Sequence, residues 1–159
     1  MIGEKDMLIV SVLRSNARET LTRMSNKINI PISTIYDKLK LYEGGLIKKH
    51  TALIDFSKLG FNTRANIALK VDREKRELLK EFLMKNNNVN SLYKINNGFD
   101  FMIEGVFKNL KELEDFFDAL EIKFKVKTKQ VYYIIDDIKR ESFLSDPTAL
   151  KMMSAEAGA

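Results

Sequence analysis

The chain of 159 residues is 45% hydrophobic and 31% charged, a balance typical of one or two globular domains with a buried core. No apolar run approaches the ~18 residues of a membrane span, and the lack of cysteine excludes disulfides and thiolate chemistry. Acidic residues precede the first apolar stretch, so we expect no secretory signal and a cytoplasmic location.

The net charge of +5 is concentrated near the beginning of the chain. Residues 1–50 contain 9 Lys and Arg against 5 Asp and Glu, whereas residues 51–159 contain 18 against 17. A basic segment followed by a nearly neutral one indicates a polyanionic partner for the first segment only.

Apolar residues recur at helical spacing in the first 45 residues and predict three short helices. The first is expected from Asp6 to Ser15. The second is expected to begin after Thr20, whose hydroxyl can accept a hydrogen bond from an unpaired N–H of the first turn. Pro31 disfavours helix in the residue before it, so residues 29–31 are expected to form a turn. Three short helices with a tight turn before the third predict a helix-turn-helix.

The third helix has an apolar stripe and a polar face, and is expected to end at residues 44–45. Ile35, Leu39 and Tyr42 form the stripe, and Ser33 is expected to cap the helix. A helix that enters the DNA major groove carries short polar residues in its first turns, for base edges, and lysines further on, for phosphates. An ordinary amphipathic surface helix is the alternative that this helix alone leaves open. The polar residues are Thr34, Tyr36, Asp37, Lys38 and Lys40.

Leu46 to Asp55 alternates loosely and predicts an extended segment, part wing and part connection, before a turn at residues 57–60. The remaining residues follow strand and helix patterns in the order β-α-β-β-α-β, the ferredoxin-like arrangement. We therefore expect an α+β protein. A (winged) helix-turn-helix domain at 1–50 is joined by a linker strand and turn at 51–63 to a ferredoxin-like domain at 64–140, with a C-terminal extension at 141–159.

Within the second domain, strands are expected at 65–71, 89–95, 99–107 and 124–136, and helices at 74–85 and around 110–120. Residues 96–98, Asn-Asn-Gly, are expected to form a hairpin turn because Asn and Gly tolerate positive φ. The helix at 74–85 is expected to turn four side chains inward, Leu78, Leu79, Phe82 and Leu83.

The ferredoxin-like arrangement leaves one face of the sheet without helices. Strand positions that could be exposed on it carry Met102, Val106, Val131 and Tyr133. An uncovered, partly apolar sheet face favours self-association, so we expect a dimer through this domain. In the extension, residues 143–144 are expected to dock on the body, residues 147–153 to begin a helix, and residues 154–159 to be loose.

Several short motifs follow one another in order along residues 4–140: Asp6-x-x-Ile9 with Leu13; Asn16-Ala17-Arg18; Met24, Ile28, Ile30, Ile35, Leu39 and Glu43; Gly45-Leu46-Ile47; Thr51-Ala52-Leu53-Ile54-Asp55; Leu59-Gly60; and Gly98-Phe99-Asp100-Phe101. In this order they resemble the Lrp/AsnC family of prokaryotic transcription regulators, also called feast/famine regulators. Pro31 departs from the family, which usually has Ser ahead of the recognition helix.

The resemblance implies a nucleoid-associated regulator that binds double-stranded DNA as a homodimer or as a higher oligomer such as a tetramer or octamer. Paired recognition helices then predict roughly palindromic sites, with half-sites about one helical turn apart or a multiple of it. We assign base contacts to Ser33, Thr34, Tyr36 and Asp37, and backbone contacts to Arg18, Lys38, Lys40, Lys48 and Lys49. A solvated charge pair is the alternative for Lys48 and Lys49.

The resemblance also implies a small-molecule effector, often an amino acid, bound between subunits near the hairpin and the last strand. The matching residues are Gly98, Asp100 and Thr128. A carboxylate such as Asp100 could hold the α-ammonium of an amino acid by a charge-assisted hydrogen bond. The alternative for Asp100 is that its side chain pins the hairpin.

Two other functions remain open at this point. Some relatives resemble nucleoid proteins that wrap DNA with little sequence preference. Siroheme decarboxylases share the two-domain build, but they look to need His and Arg around a tetrapyrrole. One histidine, His50, and no cysteine make a poor proton-transfer or metal constellation. We expect no enzymatic activity, no metal and no cofactor.

Overall fold

The computed structural model describes residues 2–150 and residue 152. Its order is α-α-α-β-α-β-β-α-β, with two short 3-10 helices at Phe56–Leu59 and Arg73–Lys75. The helices are α1 (Glu4–Ser15), α2 (Leu21–Ile28), α3 (Ile32–Tyr42), α4 (Arg76–Lys85) and α5 (Leu110–Phe124). The strands are β1 (Thr63–Lys70), β2 (Val89–Lys94), β3 (Phe101–Phe107) and β4 (Thr128–Tyr133). No helix in the described part of the chain has the length and apolar character needed to cross a membrane.

The chain forms two compact units. Among the described residues, the N-terminal unit contains those within 1–52 and 138–159, and the C-terminal unit contains residues 53–137.

The N-terminal unit is the predicted helix-turn-helix. Its core is formed by apolar side chains that all three helices turn inward, among them Ile9, Met24 and Ile35, each fully buried. Thr20 caps α2 as predicted, since its hydroxyl accepts a hydrogen bond from the Arg23 N–H at 3.2 Å. Asn29 adopts the left-handed conformation at the end of α2, which lets the chain turn sharply before α3.

The predicted capping role of Ser33 is wrong. Helix α3 begins at Ile32, with Pro31 in the capping position and no side-chain cap hydrogen bond. Ser33 is therefore the second residue inside the helix. The reason is that proline fixes φ near the helical value and lacks an N–H, so it enters a helix at or next to its first turn without losing a hydrogen bond.

The segment from Leu46 to Asp55 contains no strand that pairs with another described strand. One isolated bridge joins Glu43 to Ile47, and residues 48–55 have neither helix nor ladder. A segment forms a β-strand only when its backbone N–H and C=O groups pair with a neighbouring strand. The alternating sequence of residues 46–55 does not by itself provide that neighbour.

The C-terminal segment from residue 138 onward packs with the N-terminal unit. The Arg14 guanidinium donates to the Phe143 carbonyl at 3.0 Å and pairs with Glu141 at 3.1 Å. The predicted docking at 143–144 therefore uses the backbone of Phe143, whose side chain is 78% exposed. A helix begins at Pro147, with Asp146 accepting from the Thr148 N–H at 2.9 Å. Of the predicted helix at 147–153 and loose end at 154–159, residues 151 and 153–159 lie outside the described residues.

The C-terminal unit has the predicted ferredoxin-like topology. Its four antiparallel strands lie in the order β2-β3-β1-β4, so the first and third strands are central. The core lies between the sheet and the helices α4 and α5, and includes Ile67, Leu79, Ile103 and Leu120, all fully buried. Asn97 and Gly98 both have positive φ, as the Asn-Gly hairpin signal predicts.

Several details of the C-terminal unit differ from expectation. Leu78 is 61% exposed, because α4 turns only Leu79 and Leu83 fully inward. The last strand begins at Thr128, since Phe124 ends α5 and Lys125 closes that helix in the left-handed conformation. Val131 lies opposite Ile67 and therefore on the helix-covered face, where it packs against the core.

Tyr133 shares the helix-covered face with Val131, because it lies opposite the buried Ala65. Of the four apolar residues expected on the uncovered face, Met102 and Val106 lie there, opposite Ala68 and Arg64, but Val106 is buried at 9% exposure. Two exposed tyrosines, Tyr93 and Tyr132, lie on this same face, because they lie opposite Met102 and Asn66. The uncovered face is therefore partly apolar, but Tyr93 and Tyr132 lie on it where Val131 and Tyr133 were expected.

Candidate recognition helix and effector site

The polar sector of α3 is the part of the N-terminal unit that could meet a groove. Burial of Ile35 and Tyr42 fixes the rotation of the helix about its axis. At about 100° per residue, Ser33, Tyr36, Asp37 and Lys40 then form one continuous sector, and all four are exposed. Thr34 and Lys38 flank this sector and are half-buried. The structure thus brings together four of the six α3 residues that the sequence predicts to contact DNA.

Tyr36 and Lys40 form a pair on this sector. They are one helical turn apart, and the Lys40 ammonium lies 4.4 Å from the centroid of the Tyr36 ring. Tyr36 is 47% exposed. The contact restricts both side chains, and both residues remain exposed. Such a pair can meet a base edge and a neighbouring phosphate together.

Lys38 points away from this sector and into a network that the sequence did not reveal. Its ammonium lies 2.8 Å from Oδ1 of Asp6, a carboxylate only 5% exposed. The Tyr42 hydroxyl donates to the same oxygen, and the Gly3 N–H donates to Oδ2 at 2.8 Å. The network joins the first turn of α1 to the second half of α3 and so helps to orient the recognition helix.

The electrostatics of the network follow from these contacts. Hydrogen bonds from Lys38 and then Tyr42 hold the pKa of Asp6 well below its usual range, against the opposing effect of burial. Burial, together with the neighbouring Asp6 carboxylate, raises the pKa of Tyr42. Asp6 is thus a carboxylate and Tyr42 a neutral donor at neutral pH. From the sequence, only Asp6 could be singled out, as an acidic residue at the start of a helix. No local pattern connects it with Tyr42, which lies 36 positions further along the chain.

The remaining predicted phosphate contacts come from other segments of the N-terminal unit. Arg18 is exposed between α1 and α2, in a turn where its N–H donates to Oδ1 of Asn16 at 3.1 Å. Lys48 and Lys49 are exposed directly after the Glu43–Ile47 bridge. None of these three cations takes part in an ion pair between described side chains, so their charge is available to a partner.

The predicted effector residues meet at one end of the sheet in the C-terminal unit. The Asp100 N–H donates to the Leu69 carbonyl at 2.9 Å, and Thr128 lies opposite Lys70, the next residue of β1. Gly98 occupies the hairpin that joins β2 to β3 at the same end, with φ +88°. A cation, Lys70, thus lies between Asp100 and Thr128, which the sequence did not indicate because the three segments are about 30 residues apart.

The Asp100 carboxylate is occupied by partners within its own unit. Its Oδ2 accepts from the Val71 N–H at 2.9 Å, and its Oδ1 lies 2.8 Å from Nε of Arg76 at the start of α4. The side chain is 12% exposed. These contacts tie the hairpin to the end of β1 and to α4, as in the alternative in which Asp100 pins the hairpin. The Arg76 guanidinium also neutralises the Asp100 carboxylate, which would otherwise attract the ammonium group of a ligand.

His50 is exposed in the segment that follows Lys49. Among residues 2–150 and 152, no group of three His, Asp or Glu side chains is arranged to hold a metal ion.

Relatives of known class resemble most of the chain, although no protein-family model matches it. The HTH-type transcriptional regulator FL11 of Pyrococcus horikoshii is 31% identical over 120 residues, covering 75% of this chain and 80% of that protein. An uncharacterized HTH-type transcriptional regulator of Pyrococcus abyssi is 30% identical over 145 residues, covering 87% and 94%. The chain belongs to the Lrp/AsnC family of transcription regulators.

Solved structures of Lrp/AsnC regulators share the fold across both units. A transcriptional regulator of Neisseria meningitidis, in complex with L-methionine, has a TM-score of 0.79 at 20% identity and covers 88% of this chain and 94% of its own. LrpC of B. subtilis has a TM-score of 0.78 at 20% identity and covers 87% and 98%. The predicted order, a helix-turn-helix followed by a ferredoxin-like domain, is therefore confirmed as the Lrp/AsnC architecture.

Proposed function

We propose that this Lrp/AsnC regulator binds double-stranded DNA in a sequence-specific manner by placing α3 in the major groove. The observation that carries the proposal is the exposed polar sector of Ser33, Tyr36, Asp37 and Lys40 on the last helix of a helix-turn-helix. The cation excess of residues 1–50 supports the same conclusion, because the phosphate backbone supplies much of the affinity for DNA.

Roles on DNA follow from residue type and position. Base contacts are assigned to Ser33, Thr34, Tyr36 and Asp37; Tyr36 can contact a thymine methyl group, and Asp37 can accept a hydrogen bond from cytosine N4. Backbone contacts are assigned to Arg18, Lys38, Lys40, Lys48 and Lys49. Among these, Lys38 is the least free to reach a phosphate, because Asp6 already holds its ammonium.

We also propose that the protein acts as a homodimer, or as a higher oligomer built from dimers, through the uncovered face of the sheet. Tyr93 is 59% exposed and Tyr132 is 56% exposed on this face, beside the half-buried Met102. A second copy that covered these side chains would bury apolar area on both chains at once. Two recognition helices related by the dimer axis would then read a roughly palindromic site.

A neighbouring pair of tyrosines tests the dimer. Tyr132 faces the uncovered side and Tyr133 the helix-covered side of β4, yet both are about half exposed. We expect Tyr132→Glu to shift light scattering at micromolar concentration from dimer or larger to monomer, because it would bury a charge in the interface. Tyr133→Glu should leave the mass unchanged. A strict monomer in the unmodified protein contradicts the dimer.

We further propose that a small molecule bound at the hairpin end of the sheet, near Gly98, Asp100 and Thr128, modulates DNA binding. The support is the shared fold with regulators that were solved in complex with L-methionine. In this proposal the protein regulates transcription at the chromosomal DNA and has no catalytic activity. Absorbance spectra that shift when a tetrapyrrole is added would favour the enzyme alternative.

The function itself is tested by selecting bound fragments from random duplex DNA at two salt concentrations. A palindrome that is recovered at both concentrations supports a sequence-specific regulator and identifies its operator. DNA that is bound without enrichment and released by salt indicates an architectural protein, since phosphate contacts alone produce that behaviour. Absence of binding at either salt concentration contradicts the proposal.

A further inference from the structure

We propose that the hairpin end of the C-terminal unit binds a small anionic ligand through a carboxylate or phosphate group. This inference rests on the proposed effector function, because it names the ligand class of the same site. It differs from the expectation drawn from the sequence, in which Asp100 would hold the α-ammonium of an amino acid.

Strand directions define which segments meet at this end. Strands β1 and β2 end there, while the antiparallel β3 and β4 begin there. The end therefore gathers the segment after β1 (residues 70–76), the hairpin (residues 94–100) and the connection from α5 to β4 (residues 123–130).

Charge within the C-terminal unit is sharply separated. Residues 53–137 contain 15 Lys and Arg and 14 Asp and Glu, which suggests a nearly neutral surface. The three segments at the hairpin end, however, hold 9 of these cations and only 3 of the acids. The rest of the unit is correspondingly acidic, so a neutral average conceals a positive field at one end.

The lysines of the α5–β4 connection are the main source of this charge. Lys123, Lys125, Lys127 and Lys129 alternate with other residues, and all four are exposed. The ammonium of Lys129 lies 4.0 Å from the centroid of the Phe117 ring, and that of Lys123 lies 4.9 Å from the Phe82 ring. Ring contacts hold two of the charges in position without neutralising them.

Lys70 adds a cation directly opposite Thr128, on the neighbouring strand. Side chains opposite each other in an antiparallel pair share a face, so the Lys70 ammonium and the Thr128 hydroxyl can donate to one bound group. In the described part of the chain, no ion pair involves Lys70, Lys127 or Lys129.

The acidic groups at this end do not cancel the field. Asp100 is neutralised by Arg76 and also accepts a hydrogen bond from the Val71 N–H. Asp72 and Glu74 are exposed and alternate with Arg73 and Lys75 in the same segment. An ammonium group would therefore find no uncommitted buried carboxylate. An anion would find the Lys70 ammonium and the Thr128 hydroxyl on one face of the sheet, within the positive field of the other lysines.

Isothermal titration calorimetry of the full chain at constant ionic strength tests the ligand class. The probes are L-glutamate, 2-oxoglutarate and inorganic phosphate, with L-methionine and L-lysine as the neutral and cationic comparisons. We expect heat with the dicarboxylates or with phosphate, and the stronger of these two responses identifies the anionic group. Neither L-methionine nor L-lysine should bind comparably.

Two sets of variants test the residues. Lys70→Gln with Thr128→Val should weaken the bound anion about tenfold, because two donors on the same face of the sheet are lost. The control Lys111→Gln removes an exposed lysine at the opposite end, where it pairs with Asp115 at 2.9 Å, and should change nothing. Arg76→Gln frees the Asp100 carboxylate and should weaken the anion while allowing L-lysine to bind.

Results that overturn this inference leave the DNA-binding proposal intact, because the fragment selection tests that proposal separately. Heat with L-methionine but with no dicarboxylate or phosphate would refute the anionic class and leave effector binding intact. Absence of heat with every probe would refute both the class and the site. Weakened DNA binding in the variant that lacks the Lys70 and Thr128 donors, with no small anion bound, would show that this surface contacts DNA and would overturn the inference.

Discussion

The N-terminal unit presents its candidate functional side chains on one helix, whereas the C-terminal unit assembles its candidate site from three separate segments. The sector on α3 follows from helical periodicity once the buried stripe is known. The hairpin end depends on which strands lie side by side, and so on the whole sheet. A site on one helix can therefore be anticipated from local sequence, whereas a site at a sheet end cannot.

The two units also differ in how their cores are stabilised. Among the described residues, eight buried hydrophobic side chains form the N-terminal core and fifteen form the C-terminal core. The smaller core gains less from burial, so specific polar contacts matter more to it. Asp6 and its three donors supply such contacts in the N-terminal unit.

The largest expected effect is in the C-terminal core. Leu79→Ala should lower the free energy of unfolding by about 3 kcal/mol, because it leaves a cavity at a fully buried position. The adjacent Leu78 is 61% exposed, so Leu78→Ala should cost less than about 0.5 kcal/mol. Urea denaturation of both variants measures the difference, and equal losses would show that α4 is rotated from its assigned orientation.

Asp6→Ala should come next, at about 2 kcal/mol, because it leaves the Lys38 ammonium, the Tyr42 hydroxyl and the Gly3 N–H without their acceptor. Chemical denaturation followed by circular dichroism measures this loss. Asp37→Ala, which removes an exposed carboxylate of α3, is the control and should have little effect on stability.

The contribution of Asp6 should depend on pH in one direction. Its pKa is lower in the folded chain than in the unfolded chain, so folding is favoured where the carboxylate is ionised. The stabilisation is complete above the ordinary aspartate pKa of about 4 and is lost as pH falls below that value. The difference between the unmodified protein and Asp6→Ala should therefore shrink on acidification; a constant difference down to strongly acidic pH would contradict the assignment.

Smaller effects are expected on DNA binding. The sequence predicts that Lys38→Ala weakens binding to all sequences and lowers the slope of log K against log salt by about one unit, as each phosphate contact does. Because Asp6 already neutralises Lys38, we now expect the one-unit change for Lys40→Ala and a smaller change in slope for Lys38→Ala. Tyr36→Ala should instead relax preference at one base position. Uniform losses in all three variants would refute this division of roles.

The smallest expected effects on stability test the two residues that the sequence predicted as helix caps, Thr20 and Ser33. Thr20→Ala should destabilise the N-terminal unit by about 1 kcal/mol, because the hydrogen bond from the Arg23 N–H is lost. Ser33→Ala should cost less than about 0.5 kcal/mol, because Ser33 lies inside α3 and caps nothing. Thermal unfolding measures both, and a larger loss at Ser33 would restore its capping role.

Sequence patterns predicted most of the fold because each pattern has a local physical cause. Asn-Asn-Gly predicted the hairpin through tolerance of positive φ, and Thr20 predicted the start of α2 through its hydroxyl. The ends of helices and strands were less predictable. An apolar pattern that continues past the end of a helix does not show where the backbone stops bonding within the helix and begins to pair with another strand. The last strand thus begins at Thr128, four residues after the predicted Phe124.

The sequence by itself determined the order of elements, the helix-turn-helix, the ferredoxin-like topology and the exposed sector of α3. These depend on turn chemistry and on periodicity, which act over a few residues. The tertiary structure decided the Asp6–Lys38–Tyr42 network, the neutralisation of Asp100 by Arg76 and the collection of lysines at one end of the sheet. Those features join residues roughly 25 to 60 positions apart in the sequence, and charge acts through space rather than along the chain.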